Sequence, residues 1–307
     1  MHLRPSEMHP DDVLRLATHD GRFAITVHPT DRCNHTCDWC WYSRGKQRAD
    51  GRALAQFLAT CSADSVSEVI ISGGGEPLMH PDIFLIANSI PRDVHTRLYT
   101  NGSIRRILLH VAERFDYIRV SIDAGTPDLY ASLHGTRKGA FEELFQTLQL
   151  VMIRIPEIEV GLSAVVMREN KHTIQALLDR ATASGIRYVM LKPELKGLTL
   201  ESADLSDLKA PDSIKMYVRQ AGLNAHGGAQ TIGEEDNIDS SRHLFIDSNG
   251  AIYPCCHLTA HEFLAGDISN GFHATVTSKQ FLAAAALHRS TPHSCAMHNL
   301  TIARKVQ

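Results

Sequence analysis

Cys33, Cys37 and Cys40 stand four and then three residues apart in TVHPTDRCNHTCDWCWYSRGK, residues 26–46. Thiols grouped this tightly in one loop suit a metal, and a tetrahedral zinc site usually takes four protein ligands. No fourth cysteine is near Cys40, and His35 lies inside the first spacing, where the loop would have to curl sharply to reach the same ion. A four-iron cubane held by three cysteines instead leaves one iron open to a ligand that is not protein. The missing thiolate is then the functional feature.

An amine and a carboxylate together chelate such an iron, and S-adenosylmethionine carries both beside a sulfonium. One electron passed through the cluster can cleave the sulfonium bond and release a 5'-deoxyadenosyl radical, which takes hydrogen from unactivated carbon. Exposure to oxygen would destroy the open cubane.

The elements that must position this loop follow a repeating order. FAITVH (23–28) reads as a strand, GRALAQFLATC (51–61) as a helix and SEVIIS (67–72) as the next strand. The cycle continues through DIFLIANSI, HTRLYT, SIRRILLHVAERF, YIRVSI, AFEELFQTLQLVMI, EVGLSAVV, HTIQALLDRATAS and RYVMLK. Six short apolar strands alternating with helices predict parallel βαβ units, and six suit an open or partial barrel better than a closed eight-stranded one. After Lys192 the rhythm breaks: SIKMYVRQAG reads as a helix, and residues 222–240 are polar and rich in Gly and Asp. RHLFIDSNGAIYPCC then reads as a hairpin turning at Ser248–Gly250, and SKQFLAAAALHR as a last helix.

The three cysteines, with Trp39 before the last of them and the first strand ahead, resemble the signature of the radical S-adenosylmethionine superfamily. The neighbouring motifs make the resemblance specific. SGGGEP (72–77) closes the second strand, where glycines let backbone approach a ligand and Glu76 could accept from an ammonium. It resembles the family's GGEP motif through Gly74, Gly75, Glu76 and Pro77, which implies that this loop holds the methionine amino group. YTNG (99–102) and SIDAG (121–125) are similar to segments lining the cofactor site, implying Asn101 in the barrel mouth and Ser121 and Asp123 near ribose or substrate. LSAVVMREN is similar to the strand flanking adenine, through Val165 and Val166, and Trp39 would pack beside the same base. Ordinary structural roles compete: Trp39 as core, Asp123 or Asn101–Gly102 as turn formers, Cys61 as a buried thiol.

FIDSNGAIYPC and FLAGDISNGF resemble the small SPASM or twitch extension of radical enzymes that modify peptides and antibiotic precursors. The expected architecture is therefore α/β: an N-terminal extension (1–21), a partial (β/α)6 TIM-like barrel (22–192), a connector (193–240) and a small twitch-like α+β extension (241–307). The SPASM array takes more cysteines than the three that follow the barrel here, so Cys255, Cys256 and Cys295 are expected to hold at most one auxiliary [4Fe–4S] cluster beside the SAM-binding one. The alternative is a metal-free cap in which a thiol, Cys256, faces substrate. An auxiliary cluster would accept an electron and permit oxidation, the first expectation; a thiol would return a hydrogen atom and permit epimerisation.

The family resemblance implies flavodoxin or ferredoxin as electron donor. Some 22 residues precede the first strand, short of a winged-helix leader-recognition region, which tilts the expected substrate towards a small polar metabolite or a peptide presented by another protein. With 34 acidic and 31 basic residues among 307 and no block of one sign, no nucleic-acid partner is expected. The first 24 residues contain Asp11, Asp12 and Asp20 and no export signal, and no apolar run suits a bilayer, so a cytoplasmic location is expected. Seven cysteines, an odd number, also speak against a disulfide scaffold.

Overall fold

The computed structural model describes residues 21–40, 42, 45–193, 195–196, 199–200, 205, 208–218, 242–256 and 259–290. Strand β1 (Phe23–Val27) leads into α1 (Gly51–Ala59), β2 (Val66–Ile71), α2 (Ile83–Ser89), β3 (His95–Thr100), α3 (Arg105–Val111) and β4 (Tyr117–Ser121). Two helices, α4 (Pro127–His134) and α5 (Ala140–Arg154), precede β5 (Glu159–Val166), α6 (Ile174–Ala183) and β6 (Tyr188–Pro193). The six predicted strands all form, each within a residue of its expected bounds. Helix α4 was not expected. Its first residue is Pro127, whose missing amide costs nothing there, and Gly135 ends it with φ of 63°.

Strands β1 to β6 pair in parallel with their sequence neighbours, in order across one sheet. Right-handed crossovers taken in one direction put the helices on a single face. Residues then alternate between two environments. Ile25, Val27, Val69, Ile71, Leu98, Ile118, Val120, Leu162 and Ala164 join the main core against the helices. The opposite face carries Thr26, Glu68, Arg97, Arg119, Ser121 and Ser163. There Arg97 Nε meets Glu68 Oε2 at 2.8 Å with both side chains fully buried, and the Arg119 guanidinium lies 3.6 Å above the Tyr99 ring.

After β6 come a small antiparallel pair, β7 (Leu195–Lys196) and β8 (Thr199–Leu200), and then β9 (Lys215–Val218). The helix predicted for SIKMYVRQAG is thus corrected over its described part: residues 215–218 are a strand, parallel to β6. The open edge of β6 offers a full ladder of hydrogen bonds, which outweighs weak local helix propensity.

The tail does not stand apart from the barrel. Strand β10 (His243–Ile246) pairs in parallel with β1, Ala24 opposite His243 and Val27 opposite Ile246, and β11 (Ala251–Tyr253) and β12 (Gly266–Asp267) continue antiparallel from it. The predicted hairpin therefore forms, as an extension of the barrel sheet. Helices α7 (Phe272–Val276) and α8 (Lys279–Ser290) follow. Phe272 stacks edge-on against Phe23 at 5.5 Å, and its amide donates to Thr60 Oγ1 at the end of α1. No helix among the described residues is long and apolar enough to cross a membrane.

Candidate active site

The cysteine loop joins β1 to α1 and is closed at its base. Thr30 bridges Arg48, Asp31 N–H donates to Gln47 O at 3.0 Å, and Ala49 N–H to Pro29 O at 2.9 Å. Asp50 then caps α1, accepting from the amides of Arg52 and Ala53. Within the loop, Cys40 N–H turns back on Cys37 O at 3.3 Å and His35 N–H points to Cys33 Sγ at 3.5 Å. Cys33 and Cys37 are partly buried and Cys40 is exposed.

The SGGGEP loop after β2 is stitched directly to this loop: Gly75 N–H donates to Thr30 O at 3.1 Å and Glu76 N–H to Arg32 O at 2.7 Å. Gly75 is required by that approach, since a Cβ there would lie 2.2 Å from Arg32 O, and Gly74 sits under the Tyr42 ring. The Glu76 carboxylate is buried and accepts from Leu78 N–H at 3.0 Å, Thr100 Oγ1 at 2.5 Å and Asn101 N–H at 2.7 Å. Burial outweighs these donors and raises it to about 7. Its oxygens tie the β2 loop to the end of β3. Asn101 in turn donates to Asn34 Oδ1 at 3.0 Å, lies 3.9 Å from Cys33 Sγ, and accepts from Ser103 N–H. It stands on the rim beside the cysteine loop, not deep in the mouth.

At the end of β4, Ser121 is partly exposed on the face away from the helices, paired in register with Ser163. Asp123 is 4 % exposed. Its Oδ1 accepts from Val165 N–H at 2.6 Å, and its Oδ2 lies 3.3 Å from His134 Nε2. Asn170 completes the bracket, donating to Asp123 O and Val165 O, both at 2.7 Å. Val165 is half-exposed while Val166 is buried in the helix-side core, as alternation along β5 dictates, which leaves Val165 alone of the pair open to a ligand.

His134 closes α4 and is 2 % exposed. Its Nδ1 lies 3.3 Å from Cys37 Sγ and 3.3 Å from His35 Nδ1, and its backbone oxygen accepts from Thr36 N–H at 3.0 Å. Trp39 meets the His134 ring edge-on at 5.5 Å. Gly135 beside it leaves no room for a side chain, because a Cβ would fall 1.8 Å from Thr36 Oγ1. Asn170 and Tyr42 are residues that sequence reasoning passed over. A buried histidine at a helix end facing a cysteine loop is a tertiary juxtaposition, with no local signal beyond the polar residue itself.

The donor set fits an iron–sulfur cluster. Burial, followed by Asp123 and the neighbouring Cys33 and Cys40, pushes the Cys37 thiol up to about 12. Three thiolates coexist here only against strong positive charge, which a metal cluster brings. Among the described residues, His35, Cys37 and His134 form the one group with ligand atoms all within 4.8 Å of one another, a single-ion spacing. Cys33, Cys37 and Cys40 together are not such a single-ion group. Burial and then His134 lower His35 to about 4, so it is neutral at ordinary pH.

In the tail, Cys255 is 4 % exposed, and Cys256 is partly buried against Phe245, Tyr253 and Phe263. Phe245 alternates with the core residues Leu244 and Ile246, so this cluster lies on the sheet face away from the helices. The ring of His28, at the end of β1, meets Phe245 at 4.7 Å and Tyr42 at 5.0 Å. Burial alone lowers His28 to about 3. Burial first, then the nearby Cys256, Asp247, Asp31 and Cys255, raises the Tyr42 phenol. Tyr42 thus links the glycine loop to the tail cysteines. Cys295 lies outside the described residues. Cys61 is a buried thiol facing Phe57 O, pushed up to about 12 by burial, as its place on an apolar helical face implied.

Curated relatives share parts of this chain. It is 29 % identical over 176 residues to a probable GTP 3',8-cyclase of Pyrobaculum aerophilum, a match covering 53 % of this chain and 56 % of that protein. It is 28 % identical over 259 residues to an Fe-coproporphyrin III synthase of Methanosarcina barkeri, covering 79 % of this chain and 62 % of that one. The chain thus matches little more than half the length of the first of these. Among solved structures, Streptococcus suis SuiB bound to S-adenosylmethionine superposes with a TM-score of 0.67 at 16 % identity, covering 91 % of this chain and 72 % of SuiB. That coverage reaches beyond the barrel, so the partial barrel with a twitch-like extension is a shared fold. The Radical SAM superfamily model matches residues 27–181, a span holding the three loop cysteines, the glycine loop and the ends of β3 to β5, and the chain belongs to this superfamily.

Proposed function

We propose that this radical SAM enzyme modifies a C–H bond of a peptide or sugar by hydrogen abstraction, with Cys256 returning a hydrogen atom. Cys33, Cys37 and Cys40 would hold a [4Fe–4S] cluster, and the glycine loop, Ser121 and Val165 would hold S-adenosylmethionine. Together these groups supply a 5'-deoxyadenosyl radical when one electron arrives from a flavodoxin or ferredoxin. The protein's part is positioning. Glu76 fixes the glycine loop to β3, Asp123 fixes β4 to β5 through the Val165 amide, and the backbone of residues 73–75 presents acceptors to the ligand ammonium.

The observation that carries the reading is the place of Cys256, on the sheet face away from the helices and beside Tyr42, which covers the glycine loop. Its S–H would pass a hydrogen atom to the substrate carbon radical, and the thiyl left behind would regain one electron and one proton from the external donor and solvent. Relatives support a peptide substrate: SuiB has been solved with the precursor peptide SuiA, and a sporulation killing factor maturation protein of Bacillus subtilis is 22 % identical over 209 residues. Oxidation of a small polar metabolite with an auxiliary tail cluster is the second reading, with Cys255 and Cys256 as its candidate ligands among the described residues.

The test is turnover of candidate peptides and aminosugars in heavy water with a chemical reductant. Epimerisation predicts a product carrying one solvent deuterium at the inverted carbon. A product two hydrogens lighter, with no deuterium at carbon, would favour oxidation instead.

A further inference from the structure

We infer that His134 is a positioning residue that donates a hydrogen bond to the Cys37 sulfur and so raises the reduction potential of the cluster held there. The inference rests on the reading of the three loop cysteines given above. Its footing is geometric. The ring is buried at the last turn of α4, clasped between Trp39 at 5.5 Å and Tyr130 at 4.5 Å. Asp123 N–H points at Nε2 from 3.3 Å, and an amide can only donate. Asp123 Oδ2 stands at the same 3.3 Å from Nε2 and favours a proton there, so the two Asp123 groups set the tautomer: with the amide bond formed, Nε2 is the acceptor and the ring proton sits on Nδ1, the atom 3.3 Å from Cys37 Sγ, and this is the arrangement we assign. A metal-bound thiolate has no proton of its own and can only accept. Among the described residues, His35 Nδ1, also 3.3 Å away, competes on that side of the ring.

The same residue ties the loop by its main chain, since Thr36 N–H donates to His134 O at 3.0 Å and Gly135 lets the helix end approach closely. Loop, helix end and the segment after β4 are thus joined through His134, by its main chain on one side and its ring on the other. Hydrogen bonds to cluster sulfurs stabilise the more negative, reduced state and raise the potential. In this chain the donor comes from a side chain 97 residues away, whose other nitrogen is fixed by the strand that also anchors the Val165 amide.

The test is an EPR-monitored redox titration of the anaerobically reconstituted chain and of its His134→Gln and His134→Leu variants. Leucine, with no donor, should shift the midpoint to more negative potential, and glutamine, which keeps an N–H, should recover part of the shift. Equal midpoints for the chain and for a leucine variant carrying about four irons would overturn the inference alone. Should leucine prevent loading, isotope-labelled histidine in the unaltered chain decides. A weak nitrogen coupling to the reduced cluster is expected, and its absence overturns the inference. A chain that binds no iron at all sinks the reading of the loop cysteines and this inference with it.

Discussion

The two cysteine groups border the same sheet and are held in opposite ways. Around Cys33, Cys37 and Cys40 the loop is fixed by main-chain hydrogen bonds to its own base, to the glycine loop and to the end of α4. Cys255 and Cys256 follow β11 and are held by apolar packing, one in the interior and the other against Phe245, Tyr253 and Phe263. Main-chain stitching from three separate elements fixes where sulfurs point, which a multi-iron core demands. The proposed hydrogen donor, Cys256, makes no such demand.

The largest expected effect separates the tail pair. Cys256→Ala should still cleave S-adenosylmethionine yet release no product bearing solvent deuterium, a near-complete loss read by mass spectrometry. Cys255→Ala should leave that label in place and lower stability by about 1 kcal/mol through lost packing. Equal behaviour of the two variants would erase the distinction between them.

Next comes the carboxylate that fixes the glycine loop. Glu76 is raised from 4.5 to about 7 in the folded chain, chiefly by burial. Between those values the folded state keeps a proton that the unfolded chain has released. Its contribution is therefore full below about 4.5 and is lost as pH rises through about 7, by at most about 3 kcal/mol. Urea unfolding across that window should show the decline in the native chain and a flatter profile in Glu76→Gln. Parallel slopes would mean that Glu76 is not the titrating group.

Gly135→Ala is expected to cost roughly 1–3 kcal/mol, from a left-handed backbone and the contact with Thr36. Because the clash falls on the cysteine loop, iron retention should fall further than thermal stability does. A variant that loses stability and keeps its iron would show that α4 does not hold the loop.

Much of the barrel was legible because period-two alternation and helix periodicity are local, as in EVGLSAVV, where Leu162 and Ala164 face the core and Ser163 and Val165 do not. The cysteine spacing and SGGGEP were legible for the same reason: each lies within one loop. What escaped was long-range. Lys215–Val218 became a strand because β6 had an open edge, and β10 joined β1 across more than two hundred residues of chain. The motifs of Asp123 and Glu76 mark them as site residues, and only the fold shows their partners within the chain, the Val165 amide for one and Thr100 and Asn101 for the other. A motif names the residue that matters; only the packing says which way its side chain faces.

The most direct test of this contrast is the iron and sulfide content after anaerobic reconstitution, measured on the chain, on a Cys33, Cys37 and Cys40 triple Ala variant, and on a Cys255 and Cys256 double Ala variant. About four irons in the chain and in the double variant, and none in the triple variant, is the expected result. About eight irons in the chain, falling to four in either variant, would contradict it and restore an auxiliary cluster to the tail.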